Sequence, residues 1–502
     1  MIRAVERVRL LLAGDLTLGT FLERLAVVHG DRRLVEEAPE EGGSPLRLTY
    51  PAAADLVARR AAGLVGAIAP GERVVIATPN GYDVLLLILA VSRAGGVAVP
   101  VNPQMRPAEI DHVIADSGAT LVIRHADQVA LGSVTIAAAV DPGDVAAILY
   151  TSGTTGAPKG AELTHRALVG QLRGSMAWPT RLRRDEAVVG LPVAHVMGLA
   201  TLLGLAAAGI PVYFFRRFRP VPVLDAIVSR RATIFVGVPA MYRMLLDAGA
   251  EERDLRSVRV WGSGADVMPA DVADRFKRMG ALVTLPAVGV SLGQALFAEG
   301  YGMVELGGAV AARLSPPYLP ARIGQVLTPL PGYRMRVVDD AGNDAPAGEV
   351  GHLLVKGPGL LRRYHGDRAA TDAVLTADGW LRTGDLARRG PLGVLFFAGR
   401  GKDVIKHGGY SVYPTEVERA LEEHPAVAEA AVVGVPDERT GQVPVAAVVL
   451  TTGALATAEE LLAFGRSRLA DYKAPRRIVI VAELPRTGTE KVAKTELVDL
   501  FD

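Results

Sequence analysis

The sequence predicts an α/β protein: a large N-terminal domain of layered, mostly parallel sheets with helices plus a small β-barrel-like region, and a small α+β C-terminal domain on a hinge. Three observations predict it. Apolar, β-rich segments alternate with longer helical patterns through the first three-quarters of the chain. After roughly residue 330 the texture changes to short strands joined by Gly/Asp turns. From residue 399 a polar, glycine-punctuated stretch leads into a last hundred residues of short elements.

In chain order, RVVIATPN (73–80) reads as a strand and YDVLLLILAVSRAG (82–95) as a helix ending at glycine. VAVPVN (97–102) is a strand, PAEIDHVIADSG (107–118) a helix and TLVIR (120–124) a strand. Near-continuous apolar strands between helices suit a parallel sheet covered on both faces. RATIFVGVPAMYRMLL (231–246) repeats the strand-to-helix pattern. YRMRVVDDAGNDAPAGEVGHLLVKGPG reads as strand, turn and strand, the signature of antiparallel structure. In the last hundred residues the pattern predicts a helix at 415–423, strands AEAAVVGV and VPVAAVVL, a helix at 457–470 and strand RRIVIVAEL. The domains are read as 1–401 and 402–502, with the hinge in 399–409.

With 502 residues, 50% hydrophobic and 22% charged, the chain has room for a large core. A formal net charge of +1 gives no global attraction to nucleic acid or to an anionic membrane. The chain has no cysteine, which excludes disulfides, thiolate metal sites and a cysteine nucleophile. The N-terminal apolar stretch is only LLLA, too short for a secretory leader, and the expected compartment is cytoplasmic. Gly198 to Phe215 is the longest apolar stretch; its Gly/Ala content and Pro211 predict a buried helix turning into a buried strand, not a membrane span.

One stretch is not core-building. YTSGTTGAPKG (150–160) is read as a loop between a strand and a helix, with three Gly, three Thr, one Ser and one Lys. It lacks the ending of a Walker A loop and is not the dinucleotide G-x-G-x-x-G. Glycines let backbone N–H groups converge, hydroxyls add donors, and Lys159 adds charge, which suits a polyphosphate.

LYTSGTTGAPKG resembles the signature loop of the adenylate-forming (AMP-binding) superfamily, which includes acyl-CoA synthetases. Further motifs match in order: LPVAHVMGL (191–199), WGSGADV (261–267), EGYGMVE (299–305), WLRTGDL (380–386), GRGKDVIKHGGYSVYPTEVE (399–418) and LPRTGTEKVAK (484–494). The resemblance implies two steps. A carboxylate attacks the α-phosphate of ATP to give an acyl-adenylate and pyrophosphate, and the thiol of coenzyme A then displaces AMP. It implies that Thr151, Ser152, Gly153, Thr154, Thr155, Gly156 and Lys159 hold ATP phosphates, and that Glu305 holds Mg²⁺. Gly264, Ala265, Asp266, Tyr301 and Gly302 take the adenine, while Asp385 and Arg400 grip the ribose. Lys491 bridges the carboxylate and the α-phosphoryl oxygens, and His195 stands near the carboxylate. Lys402 matches the hinge, about which family members rotate the small domain to present Lys406, Gly408 and Gly409 to the CoA channel. Two positions depart from the family pattern: Val304 replaces a phosphate-bonding hydroxyl, and Glu490 stands where glycine is usual beside Lys491.

The acid pocket is expected between the His195 and Tyr301 motifs, lined by VMGLATLLGL, Val238 and Gly262. No aspartate is placed to hold an α-ammonium, and Gly300 stands where a dicarboxylate would favour arginine. An apolar, small-residue lining suits a medium- to long-chain fatty acid, with an aryl or sterol side-chain acid as alternative. The resemblance also covers acyl-AMP ligases that load a carrier protein, but no insertion between Asp385 and Lys402 marks that subclass. A catalytically weakened nucleotide-binding homologue is the remaining reading. Peripheral membrane association through the lipid substrate is compatible with the fatty-acid reading, and a homodimer with any of them. Lys473, Arg476 and Arg477 are further cations that could meet CoA phosphates or equally be plain solvated charges.

Overall fold

The computed structural model describes residues 6–10, 14–39, 45–102, 105–134, 136–151, 158–179, 184–285, 290–321, 326–451, 453–486 and 492–501. The chain divides into two compact units, Met1–Arg334 with Lys356–Gly379, and Met335–Val355 with Trp380–Asp502.

Among the described residues the first unit is built on two large mixed sheets. In one, the strands Leu296–Met303, Val260–Gly264, Ile234–Gly237, Ala187–Val189, Val212–Phe214 and Arg33–Glu37 lie side by side, all parallel. Antiparallel strands flank this run: Gly308–Ser315 and Val326–Pro329 on one side, Arg47–Thr49 on the other. The second sheet runs Leu121–Ile123, Arg73–Ile76, Val97–Pro100 and Val145–Thr151 in parallel, then Lys159–Thr164 and Arg363–Tyr364 antiparallel. The expected strands and helices of 73–124 are present with shorter ends. The helix Tyr82–Arg93 is buried at every position but Asp83, which pairs with Arg60 at 2.7 Å.

The glycine-rich stretch sits differently from the expectation. A strand, not a helix, follows it: Lys159–Thr164 turns back antiparallel on Val145–Thr151, with Thr151 opposite Lys159, and the helix His165–Val169 comes only afterwards. Ala161, Glu162 and Leu163 are all buried between sheet neighbours, and a six-residue strand of mixed polarity carries no clear period-two signal.

Gly198 to Phe215 folds as expected, into the helix Val196–Ala208, a left-handed Gly209 and the strand Val212–Phe214. Among the described residues no helix is long and apolar enough to cross a membrane.

Around Trp261, the fully buried rings of Phe235, Tyr242, Phe276 and Phe297 pack edge-on or tilted, with centroids 4.8–6.2 Å apart. The Tyr242 hydroxyl donates to Gly262 O at 2.7 Å. Such contacts contribute about 0.5–1.5 kcal/mol per ring pair beyond area burial, and here they anchor the strand that ends at Gly264.

The second unit begins with an antiparallel meander, Arg334–Val338, Val350–Lys356, Leu381–Arg389 and Leu395–Arg400. It ends in an α+β subdomain on the hairpin Val427–Asp437/Gly441–Leu450. Alternate residues of this hairpin serve two cores. Val432, Ala446 and Val448 pack with Val417, Leu421 and Leu461 of the helices Pro414–Glu422 and Ala458–Arg468. Val433, Val445 and Ala447 pack with Leu484, Leu497 and Phe501 on the other face.

Candidate functional site

Four neighbouring parallel strands end along one edge of the first sheet, and the expected site residues follow those ends. Val238 comes after Ile234–Gly237, and Gly264 ends Val260–Gly264 with Ala265 next. Gly300 pairs with Gly264, so Tyr301 follows immediately on the neighbouring strand. His195 lies beyond Ala187–Val189 and caps the helix Val196–Ala208, its Nδ1 accepting from Met197 N–H at 3.4 Å. In open α/β sheets, ligands bind outside the carboxyl ends of such strands.

The local structure is tight. Met197 reaches the strand end: a Cβ on Gly264 would lie 3.5 Å from Met197 Cε. Asn80 ties down the approach to His195, accepting from Val193 N–H at 2.9 Å and donating to Arg216 O at 2.8 Å. The left-handed position of the GSGAD turn falls on Ala265, at φ +69°, not on a glycine. A non-glycine residue there stores about 1–3 kcal/mol of strain, of the kind found at binding sites. Asp266 Oδ1 accepts from Val267 N–H at 2.8 Å, shaping the same turn. A Cβ on Gly302 would stand 1.9 Å from Gly308 O, so only glycine fits where the strands bulge after Tyr301.

Glu305 lies in the short turn Val304–Leu306, which touches both strands flanking the glycine-rich stretch. The carboxylate is buried, and the Tyr364 hydroxyl donates to its Oε1 at 2.7 Å. Burial first, and then the Glu305 charge, push the Tyr364 phenol well above its ordinary value and keep it a donor. On the same tyrosine, Lys159 Nζ lies 5.7 Å from the ring centroid. Lys159 is half-exposed and pairs with Asp367 at 3.4 Å. Asp367 also caps the helix Arg368–Val374, accepting from Ala370 N–H at 2.8 Å; that bond is the main cause of its lowered pKa, with Lys159 adding to it. Tyr364 and Asp367 were not expected from the sequence. The signal for Asp367 is G-D-x-x-A-T, a helix N-cap pattern; Tyr364 carries none. Ser152, Gly153, Thr154, Thr155, Gly156, Glu490 and Lys491 lie outside the described residues.

In the second unit Asp385 and Arg400 face each other on adjacent antiparallel strands, Arg400 Nε standing 2.9 Å from Asp385 Oδ1. Asp385 is buried, and its N–H donates to Thr383 Oγ1 at 3.0 Å. Lys402 is exposed in the turn Gly401–Asp403. Gly408 (φ +56°) and Gly409 (φ +84°) form the two-residue turn between Ile405–His407 and Tyr410–Val412. Two consecutive positive φ values require a hairpin turn of the glycine-favouring kind, which by itself accounts for both residues. Lys406 Nζ donates to Ser411 Oγ at 2.9 Å. Lys473, Arg476 and Arg477 are each engaged within the unit, by Glu416, Asp471 and the Phe501 carbonyl.

A mixed α/β unit followed by a small α+β domain is the architecture of the adenylate-forming fold. The family model "AMP-binding enzyme" matches residues 22–137 and 127–365, and "AMP-binding enzyme C-terminal domain" matches 416–491. The chain belongs to this family, and within it to the acyl-CoA ligase type. It is 36% identical to a feruloyl-CoA synthase of Amycolatopsis sp over 92% of this chain and 95% of that one. It is 31% identical to a long-chain-fatty-acid–CoA ligase of Bacillus subtilis, over 86% and 85%. The o-succinylbenzoate coenzyme A synthetase of Bacillus subtilis, in complex with ATP and a magnesium ion, superposes with TM-score 0.78 at 26% identity, covering 95% of this chain and 99% of that one.

Proposed function

We propose that this chain is an ATP- and Mg²⁺-dependent acid–CoA ligase for an apolar carboxylic acid, best read as a medium- to long-chain fatty acid. The observation that carries the reading is the cluster around Tyr364. It sets a buried carboxylate, Glu305, at the hydroxyl of one tyrosine and an ammonium, Lys159, over its ring, beside the strands that flank the glycine-rich stretch. Mg²⁺ prefers one or two carboxylates together with phosphate oxygens and water, and Glu305 Oε2 has no donor among the described residues, which suits that role. When bound, the ion would neutralise phosphate charge; the chain's own part is to orient and shield.

In this reading, residues 151–156 and Lys159 hold the β- and γ-phosphates, Tyr301 and the Gly264–Asp266 turn hold adenine, and Asp385 with Arg400 hold the ribose. Lys491 supplies positive charge where negative charge builds at the α-phosphoryl group. The domains divide at 401/402, and the small domain brings Lys491 to the first step and the Lys406–Gly409 hairpin to the second. The acid lies along Met197, Ala200, Thr201 and Gly204, a half-buried stripe at helical spacing that starts beside Gly264. Coenzyme A as acceptor, over a carrier protein, is supported by the compact connection from Leu381–Arg389 through Pro391–Gly393 to Leu395–Arg400. An aryl acid is the second reading, favoured by the identity with a feruloyl-CoA synthase.

The test is pyrophosphate release with ATP, Mg²⁺ and acids from C4 to C18 alongside benzoate and ferulate, with and without CoA. Multiple turnovers that require CoA and peak at one chain length support the fatty-acid reading, and a peak at ferulate the aryl one. A single equivalent unchanged by CoA means a carrier-loading ligase. No release with any acid overturns the proposal.

A further inference from the structure

We infer that Tyr364 is the positioning residue for the Glu305 carboxylate, holding Oε1 so that Oε2 faces the metal and its phosphate. The inference rests on the proposed role of Glu305. Tyr364 and Glu305 are 8% and 7% exposed, so water competes little for the bond between them. The bond is short, 2.7 Å, and both backbones are fixed: Leu361 N–H donates to Glu305 O at 2.8 Å, and Tyr364 N–H donates to Thr371 Oγ1 at 2.9 Å. The strand Arg363–Tyr364 is itself paired to Lys159–Thr164, opposite Glu162 and Ala161. A glutamate has three side-chain torsions, and an unrestrained carboxylate would spread its oxygens over many directions. Fixing one oxygen fixes the other. The ring also carries Lys159 near its face, so one residue sets the spacing between the carboxylate and the cation that meet the same polyphosphate.

The experiment is a Mg²⁺ titration of α,β-methylene-ATP binding, followed by calorimetry on the full chain, which needs no turnover. Wild type, Tyr364→Phe, Glu305→Gln and the double variant are compared, each with its thermal melt. Loss of an outer-shell partner typically weakens a metal site about 10–100-fold. The expected result is a Mg²⁺ midpoint raised at least ~10-fold in Tyr364→Phe with the melt little changed, and a double variant no worse than Glu305→Gln. A wild-type midpoint in Tyr364→Phe, with Glu305→Gln shifted, overturns the inference and leaves the proposed function standing. An unshifted Glu305→Gln overturns the role of Glu305, and the inference with it. A shift that comes with a collapsed melt and adds to that of Glu305→Gln marks Tyr364 as structural only, and also overturns the inference.

Discussion

Asp367 does two things that one substitution can separate. Its carboxylate caps the helix Arg368–Val374 and also pairs with Lys159. Asparagine caps a helix as well as aspartate but carries no charge. If Lys159 must turn from Asp367 to a phosphate, Asp367→Asn removes a weak, solvent-screened competitor. The KM for ATP should then fall by up to about 5-fold with kcat nearly constant and the melt unchanged. A rise in KM would mean that Asp367 aims Lys159 and does not hold it back. Val304 is a second single-residue question. If a hydroxyl there would bond the adenylate phosphate, Val304→Thr should raise kcat about 10-fold or more, measured as CoA-dependent pyrophosphate release. These residues were not equally legible. Val304 and Glu305 could be placed from their motif, and Asp367 from its capping pattern. Tyr364 could not, because its partner lies 59 residues away and a two-residue strand has no periodicity. Nor could Ala265, since left-handed backbone at a non-glycine residue is imposed by the surrounding structure.

At the scale of elements, the sequence carries the parallel strands and their helices well because each strand is a short apolar run closed by a turn residue. The antiparallel return of Lys159–Thr164 was not legible, and it changes how the site is supported. His165, the next residue, is buried, and its Nδ1 accepts from Leu18 N–H at 3.2 Å, tying the helix His165–Val169 to the N-terminal segment. Burial pulls its pKa down to about 4, against the weaker opposing effect of Asp144 and Asp141. Between that value and the ordinary 6.5, the unfolded chain binds a proton that the folded chain does not. Stability from this group is therefore complete above about pH 6.5 and is lost as the pH falls toward 4, on the order of 3 kcal/mol in all. His165→Asn keeps an acceptor for Leu18 N–H without a titrating ring. Thermal melts from pH 7.5 to 4.5 should fall less steeply in that variant than in wild type; parallel profiles would show that His165 is not the cause.

For the whole molecule, the proposed reaction asks the C-terminal domain to serve two steps with different residues, and a single charge removal can tell them apart. Position 491 is flanked by well-held structure. Arg486 bridges to Val492 across the segment and pairs with Glu429 at 2.7 Å. Lys494 pairs with Glu418 at 2.8 Å, and Leu484 and Leu497 are in the core. Removing the Lys491 side chain should therefore leave the domain's fold and its Gly408–Gly409 hairpin intact. In the proposed reaction its charge matters only while two anions, the carboxylate and the α-phosphate, are being brought together. Acyl-adenylate is already past that barrier. Lys491→Ala should abolish pyrophosphate release, by 100-fold or more on the scale of a lost transition-state donor (~10²–10³), yet form thioester from supplied acyl-AMP and CoA at close to the wild-type rate. Stopped-flow assays of the two half-reactions, run side by side, check it. Equal loss in both would mean that Lys491 acts on AMP or CoA binding common to the two steps, and that the small domain does not divide the chemistry in this way.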